Sequence, residues 1–137
     1  HLNSPITESV VNYFYSKNAL IGCICAAPSI LGKYGYLENK KFTCFPSFEK
    51  LVIGGTYLAD AKVVVDGNII TSKAAGTTFE FAYEITKYLR SESIANQWIN
   101  NDKRCTTNGN ECLGGHDRHL IIPTYFFAVF SVFNLYS

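Results

Sequence analysis

The chain has 137 residues, of which 47% are hydrophobic and 17% are charged, and its formal net charge at pH 7 is +1. A chain of this length and composition can bury one modest core, which excludes a disordered polymer. Its basic residues are scattered rather than clustered, so we expect no binding to nucleic acid and no electrostatic attraction to a membrane surface.

The first predicted element is a helix that begins after Ser4. Ser4 is a good N-cap residue, Pro5 fits the first helical position, and apolar residues follow at helical spacing. We expect this helix to end near Asn18. The apolar run of residues 19–24 then predicts a buried strand of a parallel sheet. A short helix is predicted next, over about residues 26–33.

A strand and a hairpin follow. Residues 41–45, KFTCF, have the composition of a strand, and Pro46 ends it. Residues 61–73 contain two β-branched runs separated by residues 66–68, Asp-Gly-Asn, which tolerate the left-handed backbone of a tight turn. This second pattern predicts an antiparallel hairpin.

A longer helix is predicted to begin at Thr77. Thr77 and Glu80 have the spacing of a capping box, and the apolar residues that follow, up to Leu89, line one helical face. Residues 91–100 predict a last short helix. The order of helices and strands predicts a layered α/β domain, which we place at residues 1–100.

The composition changes over residues 101–137. A polar, glycine-rich stretch is followed by an uncharged, aromatic stretch from residue 120 to the end. This last stretch is only just long enough for a membrane span, Pro123 and Asn134 interrupt it, and no basic cluster follows it. We therefore predict that residues 101–137 are a non-native extension outside the domain rather than a membrane anchor.

The chain has five cysteines, none of them in the Cys-x-x-Cys spacing of metal or dithiol sites. An odd number disfavours a disulfide framework and favours a reducing compartment, which we take to be the cytoplasm. Four residues near the C-terminus are of types that bind zinc, but their spacing is not standard: Cys105, Cys112, His116 and His119. We predict no metal ion and no cofactor.

Cys25 lies where the predicted buried strand turns into a helix. Such a turn holds one side chain exposed at the sheet edge, and the residues two before and two after it must be small. Cys23 and Ala27 meet this requirement, so the pattern favours Cys25 as the presented thiol. The positive end of the helix stabilises a thiolate by only about 0.3–1 kcal/mol, so further partners are needed. The alternative is that both cysteines are buried core residues.

Four stretches of the chain carry a family resemblance: IGCICAAPSILGKYG, KKFTCFPSFEKL, VVVDGNIITS and GTTFEFAYEITKYL. Over about residues 1–100 the chain resembles the C-terminal half of the ThiJ/PfpI superfamily. Within it, the chain is most similar to bacterial-type members of the protein-deglycase (DJ-one) branch. The resemblance implies a flavodoxin-like three-layer α/β/α sandwich of the class I glutamine amidotransferase-like kind, usually assembled as a homodimer.

The resemblance also implies a reactive cysteine at a nucleophile elbow, and Cys25 matches that cysteine. On this hypothesis the backbone N–H of Ala26 stabilises an oxyanion. Three residues of the KFTCFP segment are then expected in the substrate pocket: Cys44, Phe45 and Pro46.

The sequence departs from the family pattern in three places. The family glutamate that partners the cysteine comes from an N-terminal helix, which would lie before His1. Because the chain begins at His1 and contains no methionine, we expect it to be an N-terminally truncated fragment. Phe45 stands where many members carry a histidine, so no Cys-His pair is expected. The family's SRGPGT is SKAAGT here, with Lys73 in place of the arginine.

The activities that the resemblance implies all use the cysteine thiolate. Our leading hypothesis is a cysteine-dependent deglycase or glyoxalase-like hydrolase that acts on small reactive carbonyl compounds of the methylglyoxal type or on glycated groups, with Cys25 as the nucleophile. One alternative is a non-enzymatic sensor of oxidative stress, or a chaperone-like protein, in which Cys25 is oxidised. Another is an inactive fragment that lacks the family glutamate.

Overall fold

The fold is seen in a computed structural model that describes residues 4–107 and 128–131, with side chains up to residue 100 except that of residue 99. The helices are α1 (Pro5–Ser16), α2 (Pro28–Lys33), α3 (Thr78–Leu89) and α4 (Glu92–Thr107). The strands are β1 (Ile21–Ile24), β2 (Lys41–Phe42), β3 (Thr56–Tyr57), β4 (Val63–Asp66), β5 (Ile69–Ser72) and β6 (Ala128–Ser131). Two 3₁₀ turns cover Phe48–Leu51 and Ala75–Thr77.

A four-stranded sheet with the order β4-β5-β1-β6 lies at the centre of the fold. β1 runs parallel to both of its neighbours, β5 and β6, and β4 is antiparallel to β5. β2 and β3 form a separate parallel pair. All four residues of β1 are buried, which explains why this strand reads as an uninterrupted apolar run.

Helices cover both faces of the sheet. Since side chains alternate along a strand, Ile21 of β1 faces one core, together with Val11 of α1 and Leu31 of α2. Ile24 faces the other core, together with Phe81 of α3. The predicted layered α/β arrangement is therefore confirmed.

The N-terminal helix and the hairpin form as predicted. The Ser4 hydroxyl accepts a hydrogen bond from the N–H of Thr7, with N···O 3.5 Å, as expected of an N-cap. In the hairpin, Asp66 pairs with Ile69, and the turn between them contains Gly67 with a φ of 62°.

The strand predicted over residues 41–45 is shorter than expected and covers only Lys41–Phe42. Thr43 leaves the ladder because its N–H donates to the side-chain Oγ1 of Thr71, at 3.0 Å, and its hydroxyl donates to the carbonyl of Ala61, at 3.1 Å. Side-chain hydrogen bonds therefore replace the strand ladder at Thr43, and the following residues turn towards the end of β1, where the N–H of Phe45 meets the Cys25 carbonyl.

The predicted capping box at Thr77 and Glu80 is wrong. The Thr77 hydroxyl instead donates to the Ala74 carbonyl, at 2.7 Å, and lies 2.6 Å from the hydroxyl of Ser72. Glu80 forms an ion pair with Lys62, at 2.7 Å. The Thr77 hydroxyl thus bonds backwards within its own loop and Glu80 pairs with a distant residue, so α3 begins at Thr78, after a 3₁₀ turn and without a side-chain cap.

The end of the domain at residue 100 stays a prediction. The helix predicted over residues 91–100 is confirmed but continues to Thr107, and residues 128–131 form β6 beside β1. None of the helices in the described ranges is long and apolar enough to cross a membrane. The remaining residues of the aromatic stretch lie outside the described part of the chain.

Candidate active site

Cys25 occupies the turn between β1 and α2. β1 ends at Ile24 and α2 begins at Pro28, so three residues make the whole connection. Within it, Cys25 has a φ of 64°, in the left-handed region that side chains with a Cβ rarely adopt. A strained residue at a sharp strand-to-helix turn is the geometry of a nucleophile elbow.

Two backbone hydrogen bonds hold this strained residue. The N–H of Cys25 donates to the carbonyl of Ser72 at the end of β5, with N···O 3.0 Å. The carbonyl of Cys25 accepts from the N–H of Phe45, with N···O 2.8 Å. The backbone N–H and carbonyl of Cys25 are thus both tied to neighbouring segments, which fixes the direction of its side chain.

Among the cysteines whose side chains are described, only Cys25 is partly exposed. Cys23 and Cys44 are fully buried, and all three are free thiols. Burial raises the pKa of the Cys23 thiol far above its ordinary value, so this thiol stays protonated. The structure therefore places Cys23 in the core and presents Cys25, as the small-x-Cys-x-small pattern predicts.

The peptide N–H of Ala26 lies next to the thiol at the start of the helix. Ala26 itself is 6% exposed, and its N–H makes no hydrogen bond to any residue that the structure describes. The next N–H, that of Ala27, donates to the carbonyl of Ile24, at 3.2 Å. Within the described part of the chain, the N–H of Ala26 is therefore a donor without an acceptor, which is uncommon for a backbone N–H in a buried residue.

The predicted pocket residues follow β2 and reach the turn through the Phe45 peptide. Phe45 is 43% exposed, and its ring makes an edge contact with Phe48. Pro46 is also exposed. Cys44 is buried, and its burial, followed by the charges of Glu49 and Cys25, raises the pKa of its thiol to about 12. This segment lies against the Cys25 turn, with the Cys44 thiol buried and the Phe45 ring exposed to solvent.

Glu49 follows the Phe45 segment and carries a buried polar atom that the sequence patterns did not single out. It lies on the 3₁₀ turn Phe48–Leu51, and its Oε2 is buried with no hydrogen-bond partner in the described part of the chain. The only sign of it in the sequence was a carboxylate three residues after Pro46, close to the predicted pocket residues. That signal is weak because the direction of a side chain on a 3₁₀ turn depends on tertiary packing.

The loop before α3 keeps its shape without the expected arginine. The Thr77 hydroxyl accepts from the N–H of Ala74 and donates to its carbonyl, which closes the turn. The ammonium of Lys73 donates to the carbonyl of Ala59, at 2.7 Å, on the exposed surface. Lys73 is therefore engaged in holding another loop.

No cluster of metal-binding side chains is found within the described residues. The four residues of zinc-binding types near the C-terminus have side chains outside the described part of the chain: Cys105, Cys112, His116 and His119.

The chain resembles proteins of one family. A model of the DJ-1/PfpI family matches residues 2–88. The chain is 41% identical over 97 residues to Protein DJ-1alpha of Drosophila melanogaster, which covers 70% of this chain and 45% of that protein. It is 32% identical over 95 residues to the glutathione-independent glyoxalase DJR-1.2 of Caenorhabditis elegans, covering 69% and 51%. The chain thus spans about half the length of the curated relatives it matches.

The fold is also that of solved relatives. The crystal structure of Drosophila melanogaster DJ-1beta matches with a TM-score of 0.67 at 33% sequence identity, over 75% of this chain and 55% of that chain. Solved proteins of this kind have the flavodoxin-like α/β fold. The predicted fold class is therefore confirmed.

Proposed function

This chain belongs to the DJ-1/PfpI family, and from that membership we propose that Cys25 is the nucleophile of a glyoxalase- or deglycase-type reaction. The substrates are small α-oxoaldehydes such as methylglyoxal, or groups that they have glycated. The observation that carries the proposal is the backbone of Cys25, whose φ of 64° at the β1–α2 turn presents a partly exposed thiol. The name of the relative DJR-1.2 supports the substrate class.

The proposed reaction needs no external oxidant or reductant. The thiolate sulfur of Cys25 adds to the aldehyde carbon, and the carbonyl oxygen becomes the hydroxyl of a hemithioacetal after taking a proton. The hydrogen on that carbon then moves, as a proton, to the neighbouring carbonyl carbon, which is reduced while the first carbon is oxidised to a thioester. Water hydrolyses the thioester, which releases a 2-hydroxy acid and returns the thiol.

The N–H of Ala26 is proposed to stabilise the negative oxygen that forms when sulfur adds to the carbonyl. It is adjacent to Cys25 in the chain and has no acceptor among the described residues. Because this donor is fixed before the reaction, it contributes without reorganisation when charge develops.

Phe45 and Pro46 are proposed to form the rim of the substrate pocket, with Cys44 at its base. The exposed ring of Phe45 offers an apolar surface to a small carbonyl compound, and the Phe45 peptide is bonded to the Cys25 turn. The buried Cys44 thiol, with its raised pKa, remains protonated and is not a competing nucleophile.

A cytoplasmic homodimer is part of the same proposal. The family resemblance supports the homodimer, and the free thiols of the described region support a reducing compartment. Sedimentation velocity tests the dimer, which a purely monomeric protein would contradict.

The test of this proposal is methylglyoxal turnover by the wild type, Cys25→Ser and Cys23→Ala. Consumption of the aldehyde and formation of the 2-hydroxy acid are followed together, and circular dichroism checks that each variant is folded. Cys25→Ser should have no measurable turnover, because an alcohol is a far weaker nucleophile than a thiolate. Cys23→Ala should retain turnover, since this thiol lies in the core. Equal rates in the wild type and Cys25→Ser would exclude cysteine catalysis.

Oxidation sensing is a second candidate, and the difference in exposure between the three described thiols favours it. Peroxide can reach Cys25, whereas Cys23 and Cys44 are buried. A protein that shows no turnover but forms a sulfinate at Cys25 in dilute peroxide, detected by peptide mass spectrometry, would support the sensor over the enzyme.

A further inference from the structure

One flank of α1 carries an apolar stripe that is open to solvent in the described part of the chain. Ile6, Val10 and Tyr13 follow one another at spacings of four and three residues, which puts them on one side of the helix. Ile6 is 77% exposed and Tyr13 is 59% exposed. Apolar residues repeated along one side of a helix normally pack against another part of the protein, so this α1 stripe predicts a partner.

The opposite flank of α1 already has a neighbour. The ring of Tyr15 lies 4.5 Å from the ring of Tyr36, measured between their centroids. Tyr36 follows α2 and leads to β2, which packs against β4 and β5. Because β5 and β6 lie on opposite sides of β1, the α1 stripe faces the β6 side of the sheet.

The charge of α1 restricts what can cover the stripe. Glu8 is the one charged residue of Pro5–Ser16, and it follows Ile6 by two residues, which puts it on the other side of the helix. A partner of the stripe must also be uncharged, because an unpaired charge is costly to bury against apolar side chains. Residues 120–127, LIIPTYFF, meet this requirement: they carry no charge, and all but Thr124 are apolar or aromatic.

The position of β6 fixes where these eight residues lead. Ala128 begins β6 and pairs with Ile21, the first residue of β1. A tight turn joins α1 to β1, since the N–H of Ala19 donates to the carbonyl of Phe14, at 3.0 Å. The chain must therefore enter β6 close to the C-terminal end of α1.

The length of the segment also suits the stripe. Eight extended residues span at most about 29 Å, and the 12 residues of α1 are about 18 Å long. Such a segment can run along the whole stripe and still reverse into β6, as α1 reverses into β1. An extended chain also accommodates Pro123, which the interior of a helix does not.

We propose that residues 120–127 pack in extended form against the α1 stripe, on the β6 side of the sheet. On this proposal the chain belongs to the domain as far as β6. It goes beyond the chemistry at Cys25 and does not depend on it. It excludes the predicted domain end at residue 100, and one experiment decides between them.

The test is photo-crosslinking of the full chain, with Tyr13 replaced by the photoreactive residue benzoylphenylalanine. Irradiation joins this probe to the C–H bonds that it touches, and peptide mass spectrometry locates the bond. The product should have the mass of one chain, with the probe joined to residues 120–127. The same probe at Tyr15 is the matched control, since it should join to residues around Tyr36 instead.

Variants of the segment show whether apolar contact holds it in place. In an extended chain, Ile121→Asp together with Ile122→Asp puts a charge on each side, so the crosslink from position 13 should be lost. Thr124→Ser should keep it. Circular dichroism and an unchanged crosslink from position 15 show that each variant is folded.

Three results would overturn the inference. A product of twice the chain mass from position 13 would mean that a second copy covers the stripe. No crosslink from position 13 to residues 120–127 would mean that this segment lies elsewhere. A crosslink that persists in the double aspartate variant would mean that the two parts are near each other without packing together.

Discussion

The backbone N–H of Phe45 donates a hydrogen bond to the carbonyl oxygen of Cys25, at an N···O distance of 2.8 Å. This bond joins the turn after β1 to the segment after β2, which are twenty residues apart in the chain. Cys44 precedes Phe45, and Glu49 follows it on the next 3₁₀ turn. This main-chain contact therefore holds the segment that carries the exposed ring of Phe45 against the turn that presents Cys25.

The left-handed backbone of Cys25 predicts an unusual order of stability among its variants. A residue with a Cβ costs roughly 1–2 kcal/mol in this conformation, whereas glycine adopts it readily. We therefore expect the free energy of unfolding in urea to be about 1 kcal/mol higher for Cys25→Gly than for Cys25→Ala.

The control for this order is Cys23, which is buried within β1. There the order should reverse, because glycine inside a strand is less favourable than alanine. If alanine is the more stable replacement at both positions, Cys25 is not held in a left-handed conformation.

Gly32 allows α2 to approach the loop that follows Glu49. A Cβ at Gly32 would lie 2.5 Å from Cγ2 and 2.8 Å from the Cα of Val52, so an added methyl group meets backbone as well as side chain. We expect Gly32→Ala to lower the free energy of unfolding by about 1–3 kcal/mol, measured by urea denaturation. Gly76→Ala is the control, since a Cβ at Gly76 has no neighbour within 4 Å. Equal effects at the two glycines would contradict the close approach.

The hydroxyl of Thr77 holds the loop between β5 and α3. It bonds with both backbone groups of Ala74 and with the hydroxyl of Ser72, all in a partly or fully buried setting. Thr77→Val keeps the shape but leaves these groups unpaired, so we expect a loss of about 1–3 kcal/mol of stability. Thr78→Val removes an exposed hydroxyl that water can replace, and its thermal unfolding should resemble that of the wild type. Similar losses in both variants would argue against a special role for Thr77.

The buried thiol of Cys44 predicts a loss of stability at alkaline pH. Its pKa rises from 9.0 to about 12 on folding. The unfolded chain therefore releases this proton from about pH 9, while the folded chain retains it until about pH 12. The stabilisation is complete below pH 9 and is lost between these values, at up to about 1.4 kcal/mol per pH unit. Urea unfolding between pH 7 and about pH 10.5 should show a shallower decline for Cys44→Ala than for the wild type. Parallel declines would mean that this thiol does not titrate differently in the two states.

Local patterns were sufficient to predict the turn at Cys25 and the hairpin around Gly67. Both depend on residues close in sequence: small side chains beside Cys25, and residues that tolerate a positive φ in the hairpin turn. The family resemblance added the fold class, which composition and periodicity alone left at a layered α/β domain.

Tertiary partners decided the features that local patterns missed. Thr77 and Glu80 have capping-box spacing, but Glu80 forms its ion pair with the distant Lys62, and the Thr77 hydroxyl bonds instead to Ala74 and Ser72 in the loop before the helix. Glu49 was missed for the same reason, since only the packed structure shows that its Oε2 points inward.

The central claim is that the thiol of Cys25 performs the chemistry, and alkylation tests it most directly. The wild type is treated with limiting iodoacetamide, and the modified fraction of Cys25 is measured by peptide mass spectrometry beside the remaining methylglyoxal turnover. The account predicts that turnover falls in proportion to alkylation of Cys25. It also predicts that added methylglyoxal slows both the alkylation and the loss of turnover. Full alkylation of Cys25 with undiminished turnover would contradict it.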